Sequence, residues 1–175
     1  MKKLIPTFLL VTSCGPRWMS PFILGSWTPP ETKIVCVEVK EETKKEIKSA
    51  IMAWDRSLYQ WRQFKVGTKN CDIKIHEISS NAEYDEFDLA YVDRIGGNEI
   101  KLIEGKYEID PLGVTLHEMG HILGAKHMAG TLMSQKLDVG KYRCPDAATV
   151  AQVVTFNNID PGIVSWCDPG SFANN

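Results

Sequence analysis

Residues His117–His127 read HEMGHILGAKH, and they hold three of the four histidines in a chain of 175 residues. A helix is predicted over residues 111–123, on which His117 and His121 are one turn apart and share a face. Gly124 is placed to end that helix, because glycine adopts a left-handed backbone without a steric clash. This pattern decides both the local fold and the kind of site to expect.

Two imidazole nitrogens at that spacing can bind one zinc ion, and a sharp turn after the helix can return His127 as a third ligand. Three protein ligands leave one position for water, which is typical of a catalytic rather than a structural zinc site. Glu118 can face that open position, where a carboxylate can take a proton from zinc-bound water. The residues therefore predict a zinc hydrolase in which Glu118 is the general base and the metal ligands are His117, His121 and His127.

The full pattern HExxHxxGxxH resembles the zinc-binding motif of the metzincin metallopeptidases at every fixed position. Metzincins carry a methionine in a tight turn below the metal, and Met133 within residues 130–134, GTLMS, matches that turn. Within the metzincins the chain is most similar to the matrixin (matrix metalloproteinase) catalytic domain, over residues 31–157. The resemblance implies a zinc-dependent endopeptidase that acts on a peptide or protein substrate.

The matrixin resemblance also assigns the surroundings of the site. Residues 88–92, DLAYV, stand where matrixins have an exposed edge strand, so Leu89 and Ala90 are expected to offer backbone groups to an extended substrate. Residues 134–142 are expected to form the wall of the pocket for the side chain after the scissile bond. The chain departs from the family in the short loop between His127 and the methionine turn. No inhibitory pro-domain, calcium-site or structural-zinc pattern is recognised.

Hydrophobic periodicity predicts an α/β (α+β) domain over residues 31–175, which ends in a short tail. The resemblance implies that this domain has a metzincin-like fold. It should contain a twisted mixed sheet of about four to five strands, a long backing helix, the active-site helix and a C-terminal helix. Asp110 fits the N-cap of the active-site helix and Pro111 its first position. His76, in a strand, is interpreted as a surface or packed residue. The predicted strands cover residues 33–40, 71–78, 87–94 and 99–104, and the other two helices residues 43–64 and 144–156.

The N-terminus has the pattern of a secretory signal, in which two lysines precede a short apolar stretch and small residues follow. Residues 11–14, VTSC, resemble a bacterial lipobox, in which Cys14 would become the lipidated first residue. Residues 1–14 are therefore interpreted as a signal peptide and residues 15–30 as a tether. The alternatives are plain secretion after cleavage and no processing. Lipidation at Cys14 would export the protein to the periplasm or cell surface as a membrane-anchored lipoprotein. Plain secretion would export it into the medium.

Export would permit disulfide bonds. Four cysteines remain beyond Cys14, and four allow three pairings. A bond between Cys144 and Cys167 would pin the C-terminal tail to the start of the last helix. A bond between Cys36 and Cys71 would link two predicted strands. Free buried thiols are the alternative.

The bulk composition is that of an ordinary globular protein, with 43% hydrophobic and 24% charged residues and a net charge of −2. No basic field indicates nucleic-acid binding, and a lipid anchor is the only membrane contact expected. The protein is expected to act as a monomer. Two alternative functions share the zinc ligands. One is a binding lipoprotein, which would not need Glu118, and the other is a zinc amidase acting on cell-wall peptides.

Overall fold

The computed structural model describes residues 30–79 and 88–167. Residues 1–29, 80–87 and 168–175 lie outside the described residues, and with them Cys14, the signal peptide, nearly all of the tether, the first residue of the predicted strand 87–94 and the last tail residues. The described chain is an α/β fold with a five-stranded mixed sheet and three α-helices. No helix in these ranges is long and apolar enough to cross a membrane. The strands are β1 Glu31–Glu38, β2 Arg62–Gly67, β3 Ile73–Ile78, β4 Ala90–Val92 and β5 Glu99–Ile103, and the helices are α1 Glu41–Leu58, α2 Pro111–Ile122 and α3 Ala147–Asn157.

The strands lie in the order β2–β1–β3–β5–β4. Strands β2, β1, β3 and β5 are parallel to one another, whereas β4 is antiparallel to β5. β4 is an edge strand, as expected, although of the described residues in the predicted span, 88–94, it covers only Ala90–Val92. The mixed sheet and the strand number agree with the sequence prediction.

Helix α1 is the backing helix, and its apolar face packs on α2 and β2. Trp54 is fully buried, and its indole N–H donates a hydrogen bond to the carbonyl of Leu116 at 3.0 Å. That carbonyl belongs to the residue directly before the first histidine of the motif. The indole therefore fixes the position of α2 relative to the rest of the core, which includes the buried α1 residues Ile47, Ala50, Ile51 and Leu58.

The prediction of one helix over residues 43–64 is wrong at its C-terminal end. α1 stops at Leu58, and residues 62–67 form β2, a strand that was not predicted. Phe64 continues the helical spacing of apolar residues, which is why the pattern was read as helix. In the fold, the Asp55 carboxylate accepts from the Phe64 N–H at 2.6 Å, and β2 pairs with β1. Pairing with β1 thus overrides the local helical pattern.

Helix α3 begins at Ala147 rather than at Cys144, so the predicted span of residues 144–156 starts too early. Asp146 is its N-cap: the carboxylate accepts from the N–H of Thr149 at 3.0 Å. A capping residue has a non-helical backbone, so the three residues before Ala147 lie outside the helix. Val150 and Val153 are buried.

Two disulfides are present, and both pairings considered from the sequence are confirmed. Cys36 in β1 bonds to Cys71 just before β3, and Cys144 bonds to Cys167. The segment that ends at Cys167 also reaches α1, because the N–H of Ser165 donates to a carbonyl of α1 at 2.9 Å. The second disulfide therefore links the start of α3 to a segment held against the backing helix.

Trp54→Ala should lower the free energy of unfolding by about 3–5 kcal/mol, because it leaves a cavity between α1 and α2. Urea titration of the purified protein measures this loss. Met52→Ala is the matched control on the same helix, where the side chain is 57% exposed, and it should change stability by at most about 0.5 kcal/mol. Equal losses in the two variants would contradict the described packing of α1.

Candidate metal centre

Helix α2 carries the first two histidines and begins at a buried cap. Asp110 is its N-cap, as predicted, and its carboxylate accepts from the N–H of Gly113 at 3.1 Å. Pro111 occupies the first helical position. Most of the helix is buried, including His117 and Glu118. These two polar side chains are therefore buried because the helix that carries them packs in the interior.

Helix α2 ends in a Schellman motif at Gly124, the position predicted to end it. Gly124 has a φ of +100°, its N–H donates to the carbonyl of His121, and the N–H of Ala125 donates to the carbonyl of Gly120. A Cβ at position 124 would also overlap the ring of Phe156 in α3. The backbone and the neighbouring helix both require glycine here, and the chain reverses towards the histidines.

The three histidines of the motif lie together, with one ring nitrogen from each within 4.8 Å of the others. The Nε2 atoms of His121 and His127 are 3.1 Å apart. Two nitrogens bound at ~2.0–2.1 Å to a tetrahedral zinc ion are ~3.3 Å apart, so this pair already has the separation that zinc requires. His117 is buried, His121 is half-buried and His127 is exposed, so the group opens to solvent at one side.

Backbone carbonyls orient two of the rings. The Nδ1 atoms of His117 and His121 lie 2.8 Å from the carbonyl oxygens of Leu132 and Ala125 respectively. A carbonyl only accepts, so each Nδ1 carries the proton, and each Nε2 keeps a lone pair for a metal. Burial lowers the pKa of His117 to about 4 and also lowers the pKa of His121. Both rings are therefore neutral at neutral pH, which is the form that binds a metal ion.

Glu118 lies beside the first histidine and three residues before His121, so it shares a region of the helix surface with the ligands. Burial, with a smaller contribution from the charge of Asp88, raises the pKa of Glu118 to about 8. A carboxyl group whose pKa lies near neutrality can both accept and release a proton there. The centre thus combines three imidazole nitrogens that could bind a metal ion with one buried carboxyl group beside them.

Met133, the methionine of the predicted turn, is fully buried against α2. Its sulfur occupies the space that a Cβ on Gly120 would need, and the indole of Trp54 borders the same space. The turn closes on itself, because the N–H of Met128 donates to the carbonyl of Met133 at 2.8 Å. Gly120 was not singled out from the sequence. A glycine inside a helix costs about 1 kcal/mol relative to alanine, and that cost was a signal of close packing.

Asp146 joins this turn to α3, and the sequence did not reveal that contact. One oxygen of its buried carboxylate accepts from the N–H of Leu132 at 2.7 Å, and the other caps α3. The carbonyl of Leu132 is the one that orients His117. A single carboxylate therefore holds the peptide segment that orients the first ligand. The predicted helix over residues 144–156 includes Asp146, and no local pattern specifies a hydrogen-bond partner 14 residues away.

The predicted pocket wall, residues 134–142, is held near its C-terminal end by two hydrogen bonds. The N–H of Gly140 donates to the Asp110 carboxylate at 2.7 Å. The hydroxyl of Tyr142, which is buried, donates to the carbonyl of Gly130 at 3.1 Å. The wall is thus tied to the start of α2 and to the methionine turn.

The two residues predicted for substrate pairing lie at the edge of the sheet, and β4 contacts α2. The carbonyl of Leu89 accepts from the N–H of Ile103 at 3.0 Å, and Ala90 pairs with Leu102. Since successive residues of an antiparallel strand direct their backbone groups to opposite sides, those of Ala90 face away from β5. His76 lies apart from the centre, half-buried on β3, with Nε2 3.7 Å from a Glu99 oxygen.

No protein-family model and no curated protein matches this chain. The structure of the described residues shows an α/β fold with a mixed sheet and a group of three histidines that could bind a metal ion.

Gly120→Ala should destabilise the protein by about 1–3 kcal/mol, because the added methyl group overlaps the Met133 side chain in a packed core. Urea titration measures the loss. The same substitution in a Met133→Ala background should cost less, because the overlapping atoms are then absent. Purely additive losses would show that the two residues do not share this space.

Proposed function

We propose that the protein is a zinc-dependent endopeptidase of the metzincin type, most similar to the matrixins. The observation that supports it is the histidine group, in which two Nε2 atoms are 3.1 Å apart and two rings are oriented by carbonyls. Three imidazole nitrogens with an open side fit zinc, because catalytic zinc sites use three protein ligands and leave one position free. The ligands would be His117, His121 and His127.

A zinc ion bound there supplies Lewis-acid chemistry, which acidifies water and polarises a substrate carbonyl. Glu118 takes a proton from the water that attacks the scissile carbonyl and delivers it to the leaving nitrogen. Ala90 binds the extended peptide through backbone groups on the open side of β4, and residues 134–142 shape the pocket for one substrate side chain.

We also propose that the protein is exported, either anchored to a membrane through a lipid on Cys14 or secreted. Two disulfides support this part of the proposal. Disulfides persist in oxidising compartments outside the cytoplasm and are rare within it. An exported peptidase meets its substrates outside the cytoplasm, and it acts as a monomer.

The full-length protein should cleave a diverse peptide mixture, with cut sites read by mass spectrometry. Glu118→Gln keeps the shape of the side chain but cannot accept the proton, so the cleavage rate should fall by about 10²-fold or more. Glu118→Ala should behave in the same way. A chelator should abolish cleavage, and added zinc should restore it.

Zinc binding without any peptide cleavage would contradict the peptidase proposal. Release of fragments from cell-wall peptides, with no cut in ordinary peptides, would indicate an amidase that uses the same residues. Peptide binding without turnover of either substrate would indicate a binding protein. Unchanged cleavage by Glu118→Gln would show that another group transfers the proton.

Zinc should stabilise the wild-type protein by about 2.7 kcal/mol when its free concentration is 100 times the dissociation constant. Thermal unfolding with and without zinc measures this gain. His127→Ala should reduce the gain, because one ligand is lost. His76→Ala is the matched control: it removes a histidine outside the group and should keep the wild-type response. An equal response of His127→Ala and wild type would exclude His127 as a ligand.

A further inference from the structure

Helix α3 holds the short segment that leads from α2 to His127. The side-chain amide of Asn157 donates to the carbonyl of Leu123 at 2.8 Å. The ring of Phe156 covers Gly124, at the point where the chain reverses. The route of the chain towards the third histidine is therefore set from outside α2, by a helix that contributes no ligand itself.

The closest of these contacts to His127 is made by Gln152. Its Oε1 accepts from the backbone N–H of Lys126 at 3.0 Å, and its Nε2 donates to the backbone carbonyl of the same residue at 3.2 Å. The side-chain amide thus pairs with both backbone groups of one residue, as a neighbouring β-strand would. Residue 126 directly precedes the third histidine.

These two hydrogen bonds fix peptide groups that position two of the proposed ligands, His121 and His127. The carbonyl of Lys126 belongs to the peptide group that joins it to His127. The N–H of Lys126 belongs to the peptide group whose carbonyl, from Ala125, accepts from Nδ1 of His121. Gln152 therefore fixes one peptide group that orients His121 and another from which His127 extends.

We propose that Gln152 is a positioning residue of the metal centre, which sets the 3.1 Å separation between the Nε2 atoms of His121 and His127. The inference rests on the proposed function only in that the three histidines bind zinc. Groups that orient metal ligands without touching the metal typically change affinity by about 10–100-fold when they are removed. His127 is exposed, so the position of its backbone strongly influences where its ring lies.

The test measures zinc affinity of the full-length protein by competition with a chromophoric chelator. Gln152→Met keeps the length of the side chain and removes both hydrogen-bonding groups, so zinc affinity should fall about 10-fold or more. Lys126→Ala is the matched control. The two hydrogen bonds of Gln152 reach the backbone of Lys126 and not its side chain, so this variant should bind zinc as tightly as the wild type.

A second measurement separates positioning from general stability. Visible absorption of the cobalt(II)-loaded protein reports the number and geometry of the ligands. The spectrum of folded Gln152→Met should move towards that of His127→Ala, which lacks the third ligand. A residue with a merely structural role would lower the melting temperature and leave the cobalt spectrum unchanged.

Wild-type zinc affinity and an unchanged cobalt spectrum in folded Gln152→Met would overturn the inference. If that variant does not fold, Gln152→Asn takes its place, because it keeps the amide but is one methylene too short to reach Lys126. Wild-type affinity in that variant would likewise overturn the inference. A wild-type protein that does not bind zinc overturns this inference and the proposed function together, whereas zinc binding without peptide cleavage overturns only the proposed reaction.

Discussion

One constraint governs the centre: a single straight helix presents only two histidines, four residues apart, to one ion. A third ligand from the same segment requires the chain to leave the helix and return within a few residues. Gly124 makes that return by adopting a left-handed backbone that residues with a side chain rarely adopt. The remaining contacts of the site hold the returning chain in place.

Two buried aspartates hold chain segments around the site, and both do so in the same way. Asp110 and Asp146 each cap a helix with one carboxylate oxygen and accept a distant backbone N–H with the other. The distant partners are Gly140 in the predicted pocket wall and Leu132 in the methionine turn. A serine or threonine cap would satisfy the helix, but its single oxygen is less suited to holding two separate segments. The loop between α2 and α3 is therefore fixed at the start of each helix.

The sequence predicted the parts of the site that repeat at fixed spacing, because spacing along a helix determines geometry. The histidines, the terminating glycine and the Asp110 cap belong to this group. It did not predict β2, because Phe64 continues the helical spacing of apolar residues in α1. The strand is favoured by pairing with β1, which the local sequence does not show. Nor did it reveal that Gln152 contacts Lys126, because an amide side chain on a helix surface carries no local mark of its partner. Long-range contacts of this kind depend on the assembled fold.

The order of elements along the chain divides the described fold into two parts. Every described strand precedes Glu104, whereas the three histidines of the motif, the groups that orient them and α3 all lie within residues 110–157. Proteins open locally in contiguous cooperative units, whose opening free energies can be well below that of global unfolding. Detachment of α3 would release the returning chain while the strands remain paired. The lifetime of a bound ion would then depend on the local stability of one C-terminal helix, and amide hydrogen exchange in that helix would track it.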